Sequence, residues 1–456
     1  MPRLLNIGEE ITTLYGATAT VRSEIGEGGQ GCVYLVDYRG QEKALKWYKP
    51  QALGRGAAAF YENLRANVTA GPPHDTFLWP LDITERRADG TFGYVMDLRP
   101  DGYVQATDLL LGHVGFPSFE RAIDACLAIA NSFRLLHNAG YCYQDISDGN
   151  FFVETRSGRL LICDTDNVAP NNTNLGILGT PRYMAPEIVL GKALPSIYTD
   201  RHSMAVIIFM LLCRCHPLEG RRSCVPAFTA EVQKSLYGSG ALFVMDQDNH
   251  DNALHPKVHA HAMAIWACLP QYLQDFFGRA FGQAALGNPH ARPSEADWIE
   301  QLVRFRSDVV LCDCGNEVFT EEGRPTVCDS CGKPLNIPYR IELAEYAVPG
   351  VLGTRIYRCQ TCVCDANEAL NPTGIVLGAQ DGSLGLRNLT GEVWAALTPS
   401  GRSRPVGPKQ VIPLRDGITF DCNGDSIAIR ANAPLHASEA DATDSNDLVE
   451  TPEEKE

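Results

Sequence analysis

The sequence of 456 residues predicts an α+β protein built from several consecutive domains. Three observations lead to that class. A glycine-rich turn between strand-like runs opens the chain, helical stretches follow, and short cysteine clusters then give way to alternating apolar segments separated by turns. The length exceeds the size at which one hydrophobic core stops growing, so two or more cores are expected.

The first element is the run Ile25-Gly26-Glu27-Gly28-Gly29-Gln30-Gly31-Cys32-Val33, which reads G-x-G-x-x-G-x-V. Glycines at these positions let backbone N–H groups close over phosphates with no Cβ in the way. The strand-like stretch from Val33 to Tyr38 leads on to Lys43-Ala44-Leu45-Lys46, where a lysine pairs with the α- and β-phosphates of a nucleotide. Such a lysine needs a helix-borne carboxylate as partner. Glu62 is the only acid between Lys46 and His74, and it sits among good helix formers from Ala57 to Ala66.

Further on, Phe119, Ile123, Cys126, Ala130 and Phe133 recur at steps of four and three, the pattern of an amphipathic helix. It delivers the chain to Tyr143-Gln144-Asp145-Ile146-Ser147-Asp148-Gly149-Asn150, and Asp164 follows in the strand-like Leu160-Leu161-Ile162-Cys163-Asp164. Phosphoryl transfer needs a carboxylate near the acceptor hydroxyl, plus an amide oxygen and a second carboxylate to hold Mg²⁺ against the phosphates. Asp145, Asn150 and Asp164 supply these groups in that order. Met204 to Cys213 is apolar all round, as in a helix buried on every side. It is too short to cross a bilayer, which takes about 20 helical residues.

Gly179-Thr180-Pro181-Arg182-Tyr183-Met184-Ala185-Pro186-Glu187 closes the segment that starts at Asp164. With it, the ordered motifs resemble the eukaryotic-like (Hanks-type) protein kinase family over residues 20 to 300. The resemblance implies a two-lobed kinase fold with ATP between the lobes. It assigns Asp145 as catalytic base, Lys46 and Glu62 as the catalytic ion pair, and Asn150 and Asp164 as Mg²⁺ ligands. Gly26, Gly28 and Gly31 would cover the ATP phosphates, with Val33, Ala44 and Phe152 lining the nucleotide site, Met96 behind the adenine, and Asp97 and Leu98 in the hinge. Glu187 would form an ion pair with Arg292, and Asp200 would brace the catalytic loop. Thr180 resembles the threonine that Ser/Thr kinases set against the catalytic Asp, so a serine or threonine acceptor is expected. Small-molecule kinases of related fold usually lack the Gly179–Glu187 motif, which argues for a protein substrate.

Three positions depart from the family pattern. Gln144 replaces the arginine that would receive a phosphorylated activation loop, which argues against control by loop phosphorylation. Ser147 replaces a lysine that contacts the γ-phosphate, and single electrostatic contacts of that kind are worth about 10²-fold or more in rate. Thr165 and Asp166 replace the usual Phe-Gly. Asp166 either adds a metal-facing carboxylate, favouring Mn²⁺ over Mg²⁺, or caps a turn. Because the core residues remain, an active Ser/Thr kinase is expected, with a catalytically weak nucleotide-binding pseudokinase scaffold as the alternative.

The C-terminal third begins with Cys312-Asp313-Cys314-Gly315 and Cys328-Asp329-Ser330-Cys331-Gly332. Four thiolates in two short pairs suit tetrahedral Zn²⁺, and a zinc ribbon is expected there. Cys359, Cys362 and Cys364 are candidates for a second metal, with Cys422 as a distant fourth ligand. The remaining cysteines read as small hydrophobes, kept reduced in a cytoplasmic protein. The net charge of −16 argues against nucleic acid, because phosphate backbones repel acidic surfaces. The tail from Ala437 holds eight acids and one lysine, so −9 remains without it. Between ribbon and tail, runs such as Val393–Leu397, Val411–Leu414, Gly417–Phe420 and Ser426–Ile429 predict a small all-β sandwich. Arg387-Asn388-Leu389-Thr390 and Leu414-Arg415-Asp416-Gly417-Ile418 resemble the second half of a forkhead-associated domain, a phosphothreonine reader; docking of another partner is the other reading of the module.

The expected order is an N-terminal extension (1–18), a kinase domain (19–305), a four-cysteine zinc ribbon (306–340), a β-sandwich (341–434) and a disordered acidic tail (435–456). That order resembles bacterial kinases encoded beside a von Willebrand A-domain protein and a metal-dependent phosphatase in tellurite-resistance or chemical-stress clusters. It implies those two proteins as partners besides the protein substrate, with no nucleic acid and no membrane.

Overall fold

The computed structural model describes residues 4–432 apart from 51, 174, 324, 325, 363, 366, 423 and 424. The expected acidic tail lies outside the described residues. The chain divides into two compact units, one of residues up to 267 with 275–296, the other of residues 268–274 with those from 297 onward. The division falls earlier than the boundary expected at 305, because the helix Glu295–Ser307 contributes most of its length to the second unit.

The first unit opens with strands β1 (Glu10–Thr12), β2 (Thr18–Glu27), β3 (Gly31–Tyr38), β4 (Gln41–Tyr48), β5 (Pro80–Ile83) and β6 (Gly93–Met96), with helix α1 (Ala57–Ala70) between β4 and β5. They form one antiparallel sheet in the order β1-β2-β3-β4-β6-β5. Along β3 buried and half-buried residues alternate, as expected of a strand with one face on a core. The residues expected as an N-terminal extension are part of this sheet, since β1 pairs with β2 and Leu5 and Ile11 join the core of Val21, Tyr34, Val36 and Trp47. Apolar Leu5 and Ile11 cover a sheet face that would otherwise meet water.

The helical part follows. Helix Phe119–Asn138 starts at Ser118, whose hydroxyl accepts the N–H of Arg121, and its buried stripe includes the predicted Ile123, Cys126, Ala130 and Phe133. Helix Ile197–Cys213 opens with a capping box between Ser196 and Thr199, and every residue from His202 to Cys213 is buried. No helix among the described residues is long and apolar enough to cross a membrane.

In the second unit, the strands Val309–Leu311 and Glu317–Phe319 form a small hairpin. Beyond it lie a six-stranded and a four-stranded antiparallel sheet. Residues of both meet in one core containing Ile341, Val376, Leu386, Trp394, Phe420 and Ile429, with the Trp394 and Phe420 rings stacked at 5.2 Å. The four apolar runs read from the sequence overlap the strands Trp394–Leu397, Val411–Pro413, Thr419–Cys422 and Asp425–Ala431.

Candidate active site

Asp145 stands between Gln144 and the end of the activation segment. Its Oδ1 accepts the Thr180 hydroxyl at 2.9 Å, and its backbone carbonyl accepts Nδ2 of Asn150 at 2.9 Å. With Nδ2 engaged, Oδ1 is the Asn150 atom suited to a cation. Burial raises the Asp145 carboxyl above its usual value; the Thr180 hydrogen bond opposes this and the nearby Asp164 charge adds to it. Asp164 follows the strand Arg159–Ile162 in a left-handed conformation at φ 50°, and its side chain is 40% exposed. Two oxygen donors, one an accessible carboxylate, fit a hard cation such as Mg²⁺ or Mn²⁺.

The loop bearing Asp145 hangs from Asp200. Its two carboxylate oxygens accept the backbone N–H groups of Tyr143 at 2.6 Å and Gln144 at 3.1 Å. Behind Asp200, His137 bridges to it at 3.2 Å and to Glu295 at 2.9 Å, and Arg201 also binds Glu295. Burial alone would lower the His137 imidazole, but the two carboxylates outweigh it and push it up to about 9. Glu295, despite burial, is held down to about 2 by His137 and Arg201.

Gln144 has no cationic role, yet it is tied to the activation segment: its Nε2 donates to the Thr173 carbonyl at 2.9 Å. Gly179, at φ 99°, passes so close that a Cβ there would stand 2.9 Å from the Gln144 carbonyl oxygen. The far end of the segment is fixed by the Arg182–Glu219 pair at 2.7 and 2.9 Å and by the Ser203 hydroxyl, which donates to the Tyr183 carbonyl at 2.7 Å. Glu187 and Arg292 meet in two parallel hydrogen bonds of 2.7 Å, the pairing read from the sequence.

The lysine site corrects two expectations. Lys46, on β4, is buried and donates to both oxygens of Asp166, at 3.2 and 2.9 Å, and to Oδ1 of Asp164 at 3.1 Å. Glu62 is exposed and pairs with Arg65 instead. The helix phase is the reason: α1 turns Phe60, Tyr61, Leu64 and Asn67 inward, which puts Glu62 on the outer face. Asp166 is fully buried, and the partners of its carboxylate are side chains where a turn cap would take a backbone N–H. Its Oδ2 also accepts the Tyr48 hydroxyl, and its Oδ1 the Tyr94 hydroxyl at 3.3 Å. Burial, reinforced by the Asp166 charge, pushes both phenols well above their ordinary values, so both are donors. Burial also works against the Lys46 ammonium, but Asp166 and Asp164 outweigh it and keep it charged.

Of the expected nucleotide-lining residues, Ala44 and Met96 belong to one apolar cluster, with Val33 and Leu98 packed against it. Phe152 lies on the strand Phe151–Glu154 of a separate three-stranded sheet, under the Arg99 guanidinium. Gly26 ends near the turn in which Gly28 N–H donates to the Gly31 carbonyl at 2.8 Å. A Cβ on Gly31 would meet the Trp47 carbonyl oxygen at 2.3 Å, whereas Gly26 has open space around it.

In the second unit, the sulfurs of Cys312, Cys314, Cys328 and Cys331 all lie within 4.8 Å of one another. Cys312 and Cys331 stand 3.7 Å apart, and Cys314 and Cys328 3.6 Å. Zinc–sulfur bonds of about 2.3 Å in a tetrahedron place sulfurs about 3.8 Å apart, so the set fits that ion. Each half is a tight turn, with the N–H of Gly315 donating to Cys312 and that of Gly332 to Cys328, both at 2.8 Å. Cys359, Cys362 and Cys364, the candidates for a second metal, are not among the compact ligand sets of the described residues. They lie on and just after the turn Arg358–Gln360, and the buried Cys422 is close enough to Cys362 for that neighbour to add to the rise that burial causes in the Cys422 thiol.

Residues 19–237 match the protein kinase domain family, and this part of the chain has the protein kinase fold with mixed α and β content. Among characterised proteins, the serine/threonine-protein kinase PksC of Streptomyces coelicolor is 26% identical over 263 residues, covering 54% of this chain and 45% of PksC. The protein kinase YegI of Escherichia coli O157:H7 is 23% identical over 359 residues, covering 74% of this chain and 53% of YegI. The chain thus spans about half the length of these relatives. A solved structure, the kinase domain of PknI from Mycobacterium tuberculosis, is 18% identical with a TM-score of 0.42, covering 65% of this chain and 98% of that one.

Proposed function

We propose that the chain is an ATP-dependent serine/threonine protein kinase that transfers the γ-phosphate to protein hydroxyls. The observation that carries this reading is the hydrogen bond from Thr180 to Asp145, with Asn150 and Asp164 beside it. In this reading Asp145 orients the acceptor hydroxyl and takes its proton. Lys46 steadies the α- and β-phosphates, and Thr180 fixes the shelf on which the acceptor peptide lies. Mg²⁺ or Mn²⁺, held by Asn150 and Asp164, would supply charge neutralisation at the transferring group.

The same proposal includes a structural zinc ion on Cys312, Cys314, Cys328 and Cys331 and a cytoplasmic setting. The β-module beyond the ribbon would recognise partners, among them a von Willebrand A-domain protein and a metal-dependent phosphatase, on the family resemblance. The domain order read from the sequence stands with this proposal, except that residues before 19 join the kinase sheet. A nucleotide-binding scaffold is the second reading, favoured by one observation: buried Ser147 offers no cation where the γ-phosphate would sit.

Transfer of labelled γ-phosphate to the protein itself and to a generic basic protein, with Mg²⁺ and separately with Mn²⁺, tests the reading. Activity lost in Asp145→Asn and Asp164→Asn supports it. Wild-type protein that binds ATP and transfers nothing under either metal overturns it in favour of the scaffold.

A further inference from the structure

We propose that Asp166 is the positioning residue of the phosphate-binding lysine, so that the ion pair preparing the site closes inside the metal-ligand loop and helix α1 takes no part in it. The inference rests on the kinase reading for its meaning, but its geometry stands alone. Lys46 has two carboxylate partners, Asp164 and Asp166, two residues apart on one short turn, Thr165–Asn167, that starts at Asp164.

Asp166 is built for this task. Its carboxylate is fully buried, and it accepts from the Lys46 ammonium, the Tyr48 hydroxyl and the Tyr94 hydroxyl. A buried carboxylate is tolerated only when paired and hydrogen-bonded, and these three donors meet that condition. They also occupy the oxygens that a metal would need, which leaves cation binding to Asp164. The neighbouring residue reinforces the turn, since the Thr165 hydroxyl donates to the Leu78 carbonyl at 2.7 Å.

Helix α1 is correspondingly unsuited to hold the lysine. Its inward Phe60 packs edge-on against Tyr48, ring centroids 5.4 Å apart, and Tyr48 in turn reaches Asp166. Two further inward-side residues, Asn63 and Asn67, both donate to the Val168 carbonyl, two residues past Asp166. The helix therefore supports the turn that carries Asp166 and presents no acid to Lys46. Both partners of the pair thus lie on β4 and the turn, and α1 bears on them only through these packing and hydrogen-bond contacts.

The full-length protein tests the proposal through two readouts. The first needs no nucleotide: the ¹H–¹⁵N signal of the Lys46 ammonium, assigned by its disappearance in Lys46→Arg, is protected from exchange only while buried and hydrogen-bonded. It should persist in Glu62→Gln and be lost or broadened in Asp166→Asn, with Tyr48→Phe intermediate. The second is the steady-state split: Asp166→Asn should raise KM for ATP and lower kcat, together at least ~10²-fold in kcat/KM, at an unfolding midpoint that still leaves the protein folded. Glu62→Gln should stay within about twofold of wild type, since exposed i,i+3 pairs contribute little. A Lys46 signal that survives Asp166→Asn, or that vanishes in Glu62→Gln, overturns the proposal even if the protein transfers no phosphate. Absent transfer with the signal behaving as expected sinks the kinase reading and leaves the anchor in place.

Discussion

Replacing Arg292 by methionine removes a cation that is 2% exposed in its side chain and makes four hydrogen bonds. Two go to Glu187 at 2.7 Å, one to the Tyr198 carbonyl at 2.9 Å and one to the Ala285 carbonyl at 3.1 Å. Methionine fills a similar volume, so the cost is the orphaned carboxylate and the two carbonyls, with little contribution from a cavity. Breaking a buried pair by removing one partner costs about 3–5 kcal/mol. The Glu187 side chain is 13% exposed, so water reaches it in part, and the lower end of that range, about 3 kcal/mol, is expected. With a urea dependence of about 2–3 kcal/mol per molar, the unfolding midpoint of the first unit should fall by about 1 M. Hydrogen exchange read on peptides around Glu187 and Arg292 through a urea series isolates that unit from the other. The double variant Glu187→Met/Arg292→Met should recover most of the loss, because an apolar pair leaves no buried charge. A single variant within about 1 kcal/mol of wild type, or a double variant worse than the single, would refute this account.

Other outcomes follow from the same contacts. Thr180→Val removes a hydroxyl bonded to a carboxylate, an interaction of about 1.5–3 kcal/mol; kcat should fall about 10- to 100-fold, with Thr180→Ser restoring most of it, as followed by autophosphorylation. His137 is raised in the folded state from 6.5 to about 9, so its contribution to stability is complete below its unfolded pKa and is lost as pH rises through about 9. Thermal unfolding midpoints should decline over that window, and His137→Gln should flatten the decline. Metal analysis of the purified protein should find one zinc per chain, absent in Cys328→Ser, with the second unit opening first in urea; full retention of zinc in that variant contradicts the site. Gly31→Ala should cost about 1–3 kcal/mol through the forced shift against the Trp47 carbonyl, whereas Gly26→Ala, with open space around it, should leave the unfolding midpoint unchanged.

What could be read from the residues divides along a physical line. Thr180 and the Glu187–Arg292 pair sit in motifs whose spacing is set by backbone geometry, and the structure brings Thr180 against Asp145 and Arg292 against Glu187 as expected. The Lys46 partner differs from the expected Glu62, because being the one acid in a helix-forming stretch does not fix which face of the helix carries it. Helical phase held the correcting signal, since Phe60, Leu64 and Asn67 mark the inner stripe of α1 and Glu62 falls off it. With no acid on that stripe, the unusual Asp166 was the nearest alternative, and Tyr48 and Tyr94 were not noticed because hydroxyls on buried strand residues leave no periodic trace. Part of the β-module leaves little trace in the sequence: strands Tyr339–Glu342 and Arg355–Tyr357 are too short for alternation to stand out, and Ala347–Gly350 and Pro372–Gly378 contain proline and glycine that obscure it.

The buried helix Ile197–Cys213 carries a consequence for how the proposed transfer would be timed. From its first two turns Asp200 suspends the loop bearing Asp145, Ser203 holds the chain at Tyr183, and the Tyr198 carbonyl receives Arg292. The proposed base, Asp145, and the proposed acceptor shelf are thus mounted on one rod, while Lys46 rides on the sheet. Opening and closing of the sheet against that rod would alter how far the donor stands from the acceptor, yet not the angle at which the acceptor meets its base. On the proposed kinase reading, nucleotide exchange and acceptor alignment would be separately adjustable, and a substrate protein already seated would not have to be released for each fresh ATP.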